Sequence, residues 1–206
     1  MPIDHLVYTA PDLRTGMDAI ERLLGVRPVP GGQHPHWGTH NALLSLGDRM
    51  YLEVLAPDPS LPAPPQGRWL ADQCREGPHL STWAVGTTDI HSLAEGAQRA
   101  GLALGPVQSG SRSRANGSIL SWQLTDPYAL PFDGLCPFLI DWGDTPHPAD
   151  NLPEAGKLIR FTIAHPRPAA VQAALQTLGI AFPVQYAAIP MLTAQIDGKV
   201  GTVILQ

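Results

Sequence analysis

Residues 3–25 read IDHLVYTAPDLRTGMDAIERLLG and contain, in order, the features of a strand, a turn and a helix. Residues 3–9 are rich in β-branched and aromatic side chains, which favour an extended strand. Asp12 stands where a side-chain oxygen can cap the first turn of a helix, and apolar residues follow at helical spacing as far as Leu24. Gly25 suits the position after the last helical residue, where a positive φ angle is easily adopted.

The same strand–turn–helix pattern occurs twice more along the chain. The second copy runs from Leu80 to Gly101 and the third from Leu158 to Gly179, so the three closing glycines are almost evenly spaced. Strand-like segments follow each helix, and Gly-Asp or Asp-Gly turns between them favour hairpins. An internal repeat of this kind indicates a fold assembled from copies of one small unit.

The repeat predicts an α+β fold made of two βαβββ modules and a shorter third unit. We expect the first module over residues 1–57 and the second over residues 79–144. A βαββ unit over residues 157–206 would extend the same core. Residues 58–78 read as a linker, because the stretch 58–67 (DPSLPAPPQG) is rich in proline.

The composition limits the class of protein. Of the 206 residues, 44% are hydrophobic and 15% are charged, which is typical of a folded domain. The net charge of −5, without a basic cluster, argues against nucleic-acid or anionic-membrane partners. No apolar run is long enough to span a bilayer, and the first residues lack a secretory signal. Cys74 and Cys136, without a CxxC motif, favour free thiols in a reducing cytoplasm.

The repeated unit, with a histidine on its first strand and Leu-Glu on its last, resembles the vicinal oxygen chelate superfamily of glyoxalases, bleomycin-resistance proteins and extradiol dioxygenases. The closer similarity is to its glyoxalase-like domain branch. It is carried by the segments DHLVY (4–8), LLGV (23–26), PGGQHP (30–35), GTHNAL (38–43), YLEV (51–54), WQLT (122–125) and LCPFLIDW (135–142). The resemblance implies that two βαβββ modules pair around a cleft, with metal ligands on the first and last strands of each module. In the first module those positions are His5 and Glu53.

Glu53 is also unusual for its sequence context, because it interrupts the apolar run 50–55. A buried carboxylate is costly unless it is paired or bound to a metal, so we expect Glu53 to be a metal ligand or a catalytic general base. In the second module the matching positions are Thr82 and either Leu139 or Ile140. The four-ligand set implied by the resemblance is therefore at most half present.

Three histidines close together offer further ligands. His34, His36 and His40 occur in a glycine-rich stretch that reads as a loop, and such a loop would carry His34 or His40 over the cleft. With His5 and Glu53, either histidine would complete a 2-His-1-carboxylate set suited to Fe, Mn, Zn or Ni. The plainer interpretation is a solvated loop without a metal.

Five residues are candidates for substrate binding. Arg112 and Arg114 would clamp a carboxylate or phosphate, and Trp122 would form the floor of an apolar pocket. Asp141 is an acid in an apolar strand, and Asn41 lies in one of the segments that carry the family resemblance. The remaining histidines lie beside turns or on predicted helices, and we expect all of them at the surface: His79, His91, His147 and His165.

Two functions are open from the sequence. In the first, a metal-dependent lyase, isomerase or dioxygenase chelates a small oxygen-rich substrate, and the metal stabilises an oxyanion. In the second, a metal-free protein of the same fold sequesters a small molecule, as resistance proteins do. Both require a small-molecule partner, and unpaired strand edges beside a half-open cleft favour a homodimer.

Overall fold

The chain forms three successive units. A computed structural model describes residues 1–113 and 119–206, so the predicted binding residue Arg114 lies outside the described part. The backbone N–H of Thr15 donates to Asp12 at 2.9 Å and caps the first helix. The elements of the first unit are β1 (Ile3–Thr9), α1 (Leu13–Leu24), β2 (Val29–His34), β3 (Thr39–Ser45) and β4 (Tyr51–Pro57).

The second unit repeats this order after a linker that contains the short helix α2 (Ala71–Arg75). Asp89 caps the main helix of this unit by accepting a hydrogen bond from the backbone N–H of Ser92 at 3.3 Å. The elements are β5 (His79–Gly86), α3 (Ile90–Arg99), β6 (Val107–Ser113), β7 (Ile119–Thr125) and β8 (Phe138–Asp141). A single turn of 3₁₀ helix, Pro148–Asn151, lies in the connector that follows.

Across the described residues, the first eight strands form one sheet in the order β2-β3-β4-β1-β5-β8-β7-β6. The two first strands, β1 and β5, lie antiparallel at its centre, and each is parallel to the last strand of its own module. The sheet curls so far that its edge strands β2 and β6 come into contact. The predicted α+β fold with paired βαβββ modules is confirmed.

The third unit has a sheet of its own, in the order β10-β9-β11-β12. It carries one short strand more than the predicted βαββ unit. Trp83, on β5, is fully buried and packs edge-on against Phe161 of the third unit, with ring centroids 5.1 Å apart. The elements are β9 (Gly156–His165), α4 (Pro168–Thr177), β10 (Val184–Tyr186), β11 (Met191–Gly198) and β12 (Gly201–Leu205).

The two faces of the curled sheet have different neighbours. Successive side chains of a strand point to opposite faces, so Leu6 and Tyr8 join an outer core shared with the helices and the third unit. Val7 and Leu55 face inward and join a second, largely aromatic core inside the curl. The inner face therefore encloses a space between the two modules.

Two expectations about local structure are wrong. The glycine-rich stretch before His34 is not a loop but the strand β2. His147 and His165 are buried, with 5% and 3% of their surface exposed. His147 is drawn inward because its imidazole binds a buried carboxylate. No helix in the described part of the chain is long and apolar enough to cross a lipid bilayer.

Candidate functional site

Side chains from both modules converge on a small cavity inside the curl. Its volume is about 30 Å³, which is room for about one or two water molecules. Its walls are mostly apolar: Trp37, Tyr51, Trp69, Trp122, Leu124, Phe138, Ile140 and Trp142. The polar side chains among them are His5, His34, Asn41, Glu53 and Arg112. An apolar cavity with a few convergent polar groups is typical of a small-molecule site.

Glu53 is the acidic group of the cavity. Strand alternation turns it inward, while its neighbours Leu52 and Val54 face the outer core. Only 5% of its surface is exposed. Its Oε1 accepts a hydrogen bond from Asn41 Nδ2 at 2.6 Å, and its Oε2 lies 3.6 Å from His5 Nε2. One carboxylate oxygen is therefore fixed, and the other faces the imidazole.

His5 is held by contacts on every side. Its ring stacks on Tyr51 with centroids 4.5 Å apart, and Phe138 approaches it edge-on at 5.4 Å. Its Nδ1 donates to Asp4 Oδ1 at 2.7 Å. The opposite nitrogen, Nε2, consequently faces Glu53.

Asp4 is a buried carboxylate that binds three nitrogen groups. Besides His5, Trp142 Nε1 donates to its Oδ2 at 3.0 Å, and His147 Nε2 donates to the same oxygen at 3.1 Å. Burial by itself would raise the pKa of Asp4, but the hydrogen bonds from His147 and His5 outweigh it and hold this pKa well below its ordinary value. Asp4 is therefore ionised at neutral pH.

A β-bulge explains how the consecutive residues Asp4 and His5 reach one another. In the pairing of β1 with β5, Ile3 lies opposite Val85 and His5 lies opposite Ala84, so Asp4 is an extra residue. Such a bulge locally re-aims a side chain and is frequent beside functional sites.

Arg112 provides the positive charge of the cavity from the far edge of the sheet. Only 7% of its surface is exposed, and its Nη1 donates to Asn41 Oδ1 at 3.0 Å. The backbone of Gly31 passes so close that a Cβ atom there would overlap both Arg112 Nη1 and Asn41 Oδ1. Because Asn41 also binds Glu53, its amide links the cation to the carboxylate.

His34 completes the polar set as a neutral group. Its Nδ1 lies 3.1 Å from Thr39 Oγ1, and Asn41 Nδ2 lies 3.4 Å from its Nε2. The pKa of His34 is lowered to about 4, chiefly by burial; Glu53 opposes this shift and Arg112 contributes to it. The imidazole is therefore uncharged at neutral pH.

Two residues predicted for the site lie elsewhere. His40 is next to Asn41 on β3, and alternation turns it away from the cavity to a position 3.6 Å from Asp58. Asp141 is next to Ile140 on β8 and lines a separate surface groove of about 550 Å³, where it binds the backbone N–H of Gly143 at 2.9 Å. Period-two alternation within a strand accounts for both placements.

Several residues around the cavity were not predicted from the sequence. Tyr51, Trp37 and Trp69 are among those that line it, and Asp4 orients His5. Ordinary alternation turns Asp4 to the outer face, so the bulge hid its position. A carboxylate next to the key histidine, at the start of an apolar strand, is a signal that could have found it.

The donors in the cavity differ from the metal site that the resemblance implies. Among the described residues, no group of three or more His, Cys, Asp and Glu side chains is arranged to hold a metal ion. Asn41 directs its amide nitrogen, a donor, at both Glu53 and His34. The guanidinium of Arg112 bonds to the same amide and adds a fixed positive charge. These side chains therefore do not fit a divalent cation.

Comparison with known proteins identifies the family. A family model described as "Glyoxalase-like domain" matches residues 3–179, and the chain belongs to this family. The resemblance read from the sequence is thereby confirmed. No curated protein matches the chain.

The chain is similar to solved structures at low sequence identity. A hypothetical protein from Staphylococcus aureus is 12% identical with a TM-score of 0.67, over 91% of this chain and 87% of that one. Methylmalonyl-CoA epimerase from Mycobacterium tuberculosis is 19% identical with a TM-score of 0.45, over 68% and 87% of the two chains. An epimerase variant from Streptomyces coelicolor, solved with 2-nitronate-propionyl-CoA, is 18% identical with a TM-score of 0.46, over 71% and 97%.

Proposed function

We propose that the chain binds a small organic acid in the cavity and that Glu53 accepts a proton from it. The observation that carries this proposal is the arrangement of the buried Glu53 carboxylate. One oxygen is fixed by Asn41 at 2.6 Å, and the other faces His5 at 3.6 Å. A proton acceptor held in place in an apolar cavity suits general base catalysis.

Arg112 supports an anionic ligand. A guanidinium presents several N–H donors in a planar fork that matches a carboxylate, and burial strengthens such a pair. Arg112 lines the same cavity as Glu53, on the other side of Asn41. A bound acid would therefore lie with its carboxylate toward Arg112 and its adjacent carbon or oxygen toward Glu53.

The chemistry would be a proton transfer next to the ligand's carboxylate or carbonyl group. Glu53 takes the proton, the electron pair of the broken C–H bond forms a C=C bond to the carbonyl carbon, and the π electron pair of the C=O bond moves onto its oxygen. Arg112 stabilises the negative charge that develops there. Transfer of the proton from Glu53 to a neighbouring atom, as the electron pair returns from the oxygen, completes an isomerisation. Departure of a leaving group with its bonding electron pair from the next carbon, as the C=O bond re-forms, completes a lyase reaction.

The volume of the cavity limits how much of a ligand can enter it. At about 30 Å³ it is far smaller than the several hundred Å³ of a typical drug-sized pocket. Binding of more than a few atoms requires the aromatic walls to move apart. The competing function is sequestration of a small molecule without any reaction. In that case the same residues bind the ligand, and no proton is transferred.

A panel of 2-oxo and 2-hydroxy carboxylates in D₂O tests the proposal. Binding is followed by thermal shift, and proton transfer by loss of the NMR signal of the exchanging C–H group. Arg112→Gln should weaken binding roughly 10- to 100-fold, since a hydrogen-bonded charge is lost. Glu53→Gln should keep binding within a few-fold and slow exchange about 100-fold or more.

The outcomes separate the two functions. Binding by the unchanged protein without any exchange supports sequestration. Exchange that is equally fast in Glu53→Gln contradicts the assignment of the base. Failure of every acid in the panel to bind contradicts the ligand class.

A further inference from the structure

Asp4 does not line the cavity, yet it is the most heavily bonded carboxylate near it. It is 6% exposed and accepts hydrogen bonds from His5, Trp142 and His147 at 2.7, 3.0 and 3.1 Å. The backbone of Gly86 packs closely against Asp4, since a Cβ atom at Gly86 would lie 3.2 Å from Asp4 Oδ2. The β-bulge and the glycine thus allow the Asp4 carboxylate to be buried, and the three donors stabilise its charge.

The protonation of the rings around Asp4 follows from their contacts. An ionised carboxylate only accepts hydrogen bonds, so each nitrogen facing it must carry a hydrogen. His147 Nδ1 accepts from the backbone N–H of Ala149 at 3.2 Å, so His147 is a neutral ring with its hydrogen on Nε2. The facing nitrogen of His5 is Nδ1.

We propose that Asp4 is a positioning residue that holds His5 in the Nδ1–H tautomer and points the lone pair of Nε2 at Glu53. The carboxylate of Asp4 selects the tautomer. The stacked ring of Tyr51 and the edge of Phe138 prevent the imidazole from turning over. The more common Nε2–H tautomer would instead place a donor in the cavity.

This arrangement makes His5 and Glu53 a pair of acceptors. Their nearest atoms, Nε2 and Oε2, are 3.6 Å apart, which is too far for a hydrogen bond between them. One donor atom can lie within hydrogen-bond distance of both. If the proposed function holds, the ligand therefore carries a hydroxyl group next to the carboxylate that Arg112 binds. This hydroxyl donates to the two acceptors.

The tautomer is measured in the protein without ligand. ¹⁵N chemical shifts of the histidine rings distinguish Nδ1–H from Nε2–H at alkaline pH, where imidazoles are neutral, and His5→Gln identifies the signals of His5. We expect Nδ1–H in the unchanged protein. In Asp4→Asn the amide can donate to Nδ1, so the Nε2–H tautomer should become the major form. His147→Gln is the control, since it keeps a donor to Asp4 and should leave the His5 tautomer unchanged.

If His5 in the unchanged protein is mainly the Nε2–H tautomer, the proposal is wrong. This result can be obtained even if Asp4→Asn does not fold. The same holds if folded Asp4→Asn retains Nδ1–H. Neither result depends on a ligand, so failure here is distinct from failure of the proposed function. With an acid that exchanges, Asp4→Asn should lower the exchange rate about 100-fold, with binding within a few-fold.

Discussion

Arg112 Nη1 donates to Asn41 Oδ1 at 3.0 Å, and this bond joins the last strand of the curled sheet to its opposite end. Arg112 lies on β6, the edge strand of the second module, and Asn41 lies on β3 of the first. The contact that closes the sheet is therefore also the contact that brings the cation to the cavity. Assembly of the site and closure of the sheet depend on the same residues.

Gly31→Ala should disrupt this contact. Gly31 lies at a bulge between β2 and β3, and an added Cβ would overlap both Arg112 Nη1 and Asn41 Oδ1. We expect a loss of about 1–3 kcal/mol of unfolding free energy, as for other overpacked sites, and weaker binding of a carboxylate ligand. Urea unfolding and thermal shift with ligand measure the two effects.

Gly96→Ala is the matched control. Gly96 lies in α3, and nothing surrounds the position of its added Cβ. Alanine favours a helix by up to about 1 kcal/mol over glycine, so this variant should be slightly more stable and bind normally. Equal behaviour of the two alanine variants would contradict the role of Gly31.

His34 should make stability depend on pH between about 4 and 6.5. The pKa of His34 is about 4 in the folded protein and 6.5 in an exposed histidine, so the unfolded chain binds a proton in this window and the folded protein does not. Stability from His34 is thus complete above pH 6.5 and decreases as the pH falls to 4, by roughly 3 kcal/mol at most. Urea unfolding at several pH values measures the slope.

His34→Gln removes the titrating group and keeps an acceptor for Asn41. The slope between about pH 4 and 6.5 should become shallower in this variant. Below that window both proteins should lose stability alike, because Asp4, whose folded pKa is lowered, then becomes protonated first in the unfolded chain. An unchanged slope in His34→Gln would mean that His34 is already protonated in the folded state.

Metal removal should leave the protein unaffected. Among the described residues no three His, Cys, Asp or Glu side chains are arranged to hold a metal ion, and Arg112 adds positive charge to the cavity. Fe, Mn, Ni and Zn should therefore be substoichiometric in protein purified without a histidine tag. A chelator should change neither the thermal midpoint nor carboxylate binding. The exposed-site variant His36→Ala is the control. Near-stoichiometric metal in the unchanged protein and in this control, but not in His5→Ala or Glu53→Ala, would contradict the prediction and support a metal-dependent enzyme.

Both cysteines should resist thiol reagents in the folded protein. Burial raises the pKa of Cys74 to about 11 and that of Cys136 to about 12, and only the thiolate is a good nucleophile. Neither should react near neutral pH, and both should react after unfolding. Lys199→Cys, at an exposed position, should react quickly and controls for the reagent. Rapid labelling of the unmodified chain would show that its core opens readily.

Much of the fold could be predicted because the signals are local. The helix over Leu13–Leu24 follows from a cap, a helical apolar pattern and a glycine, and it occurs at those residues. Glu53 stood out because strand periodicity calls for an apolar side chain there, and it is buried in the cavity.

The rest of the site depends on tertiary structure. Period-two alternation gives no indication of the bulge at Asp4, which needs the pairing of β1 with β5. Arg112 reaches the cavity only because the sheet curls until its edges meet, and His147 is buried only because Asp4 is there to bind it. Long-range partners of this kind leave no periodic pattern in a single sequence.

The aromatic walls give the molecule a built-in optical reporter. Four of the five tryptophans of the chain surround the cavity: Trp37, Trp69, Trp122 and Trp142. The fifth, Trp83, lies in the outer core. Intrinsic fluorescence therefore comes largely from the walls of the cavity. A quencher or ligand that enters should change the emission directly, so occupancy can be followed without a label.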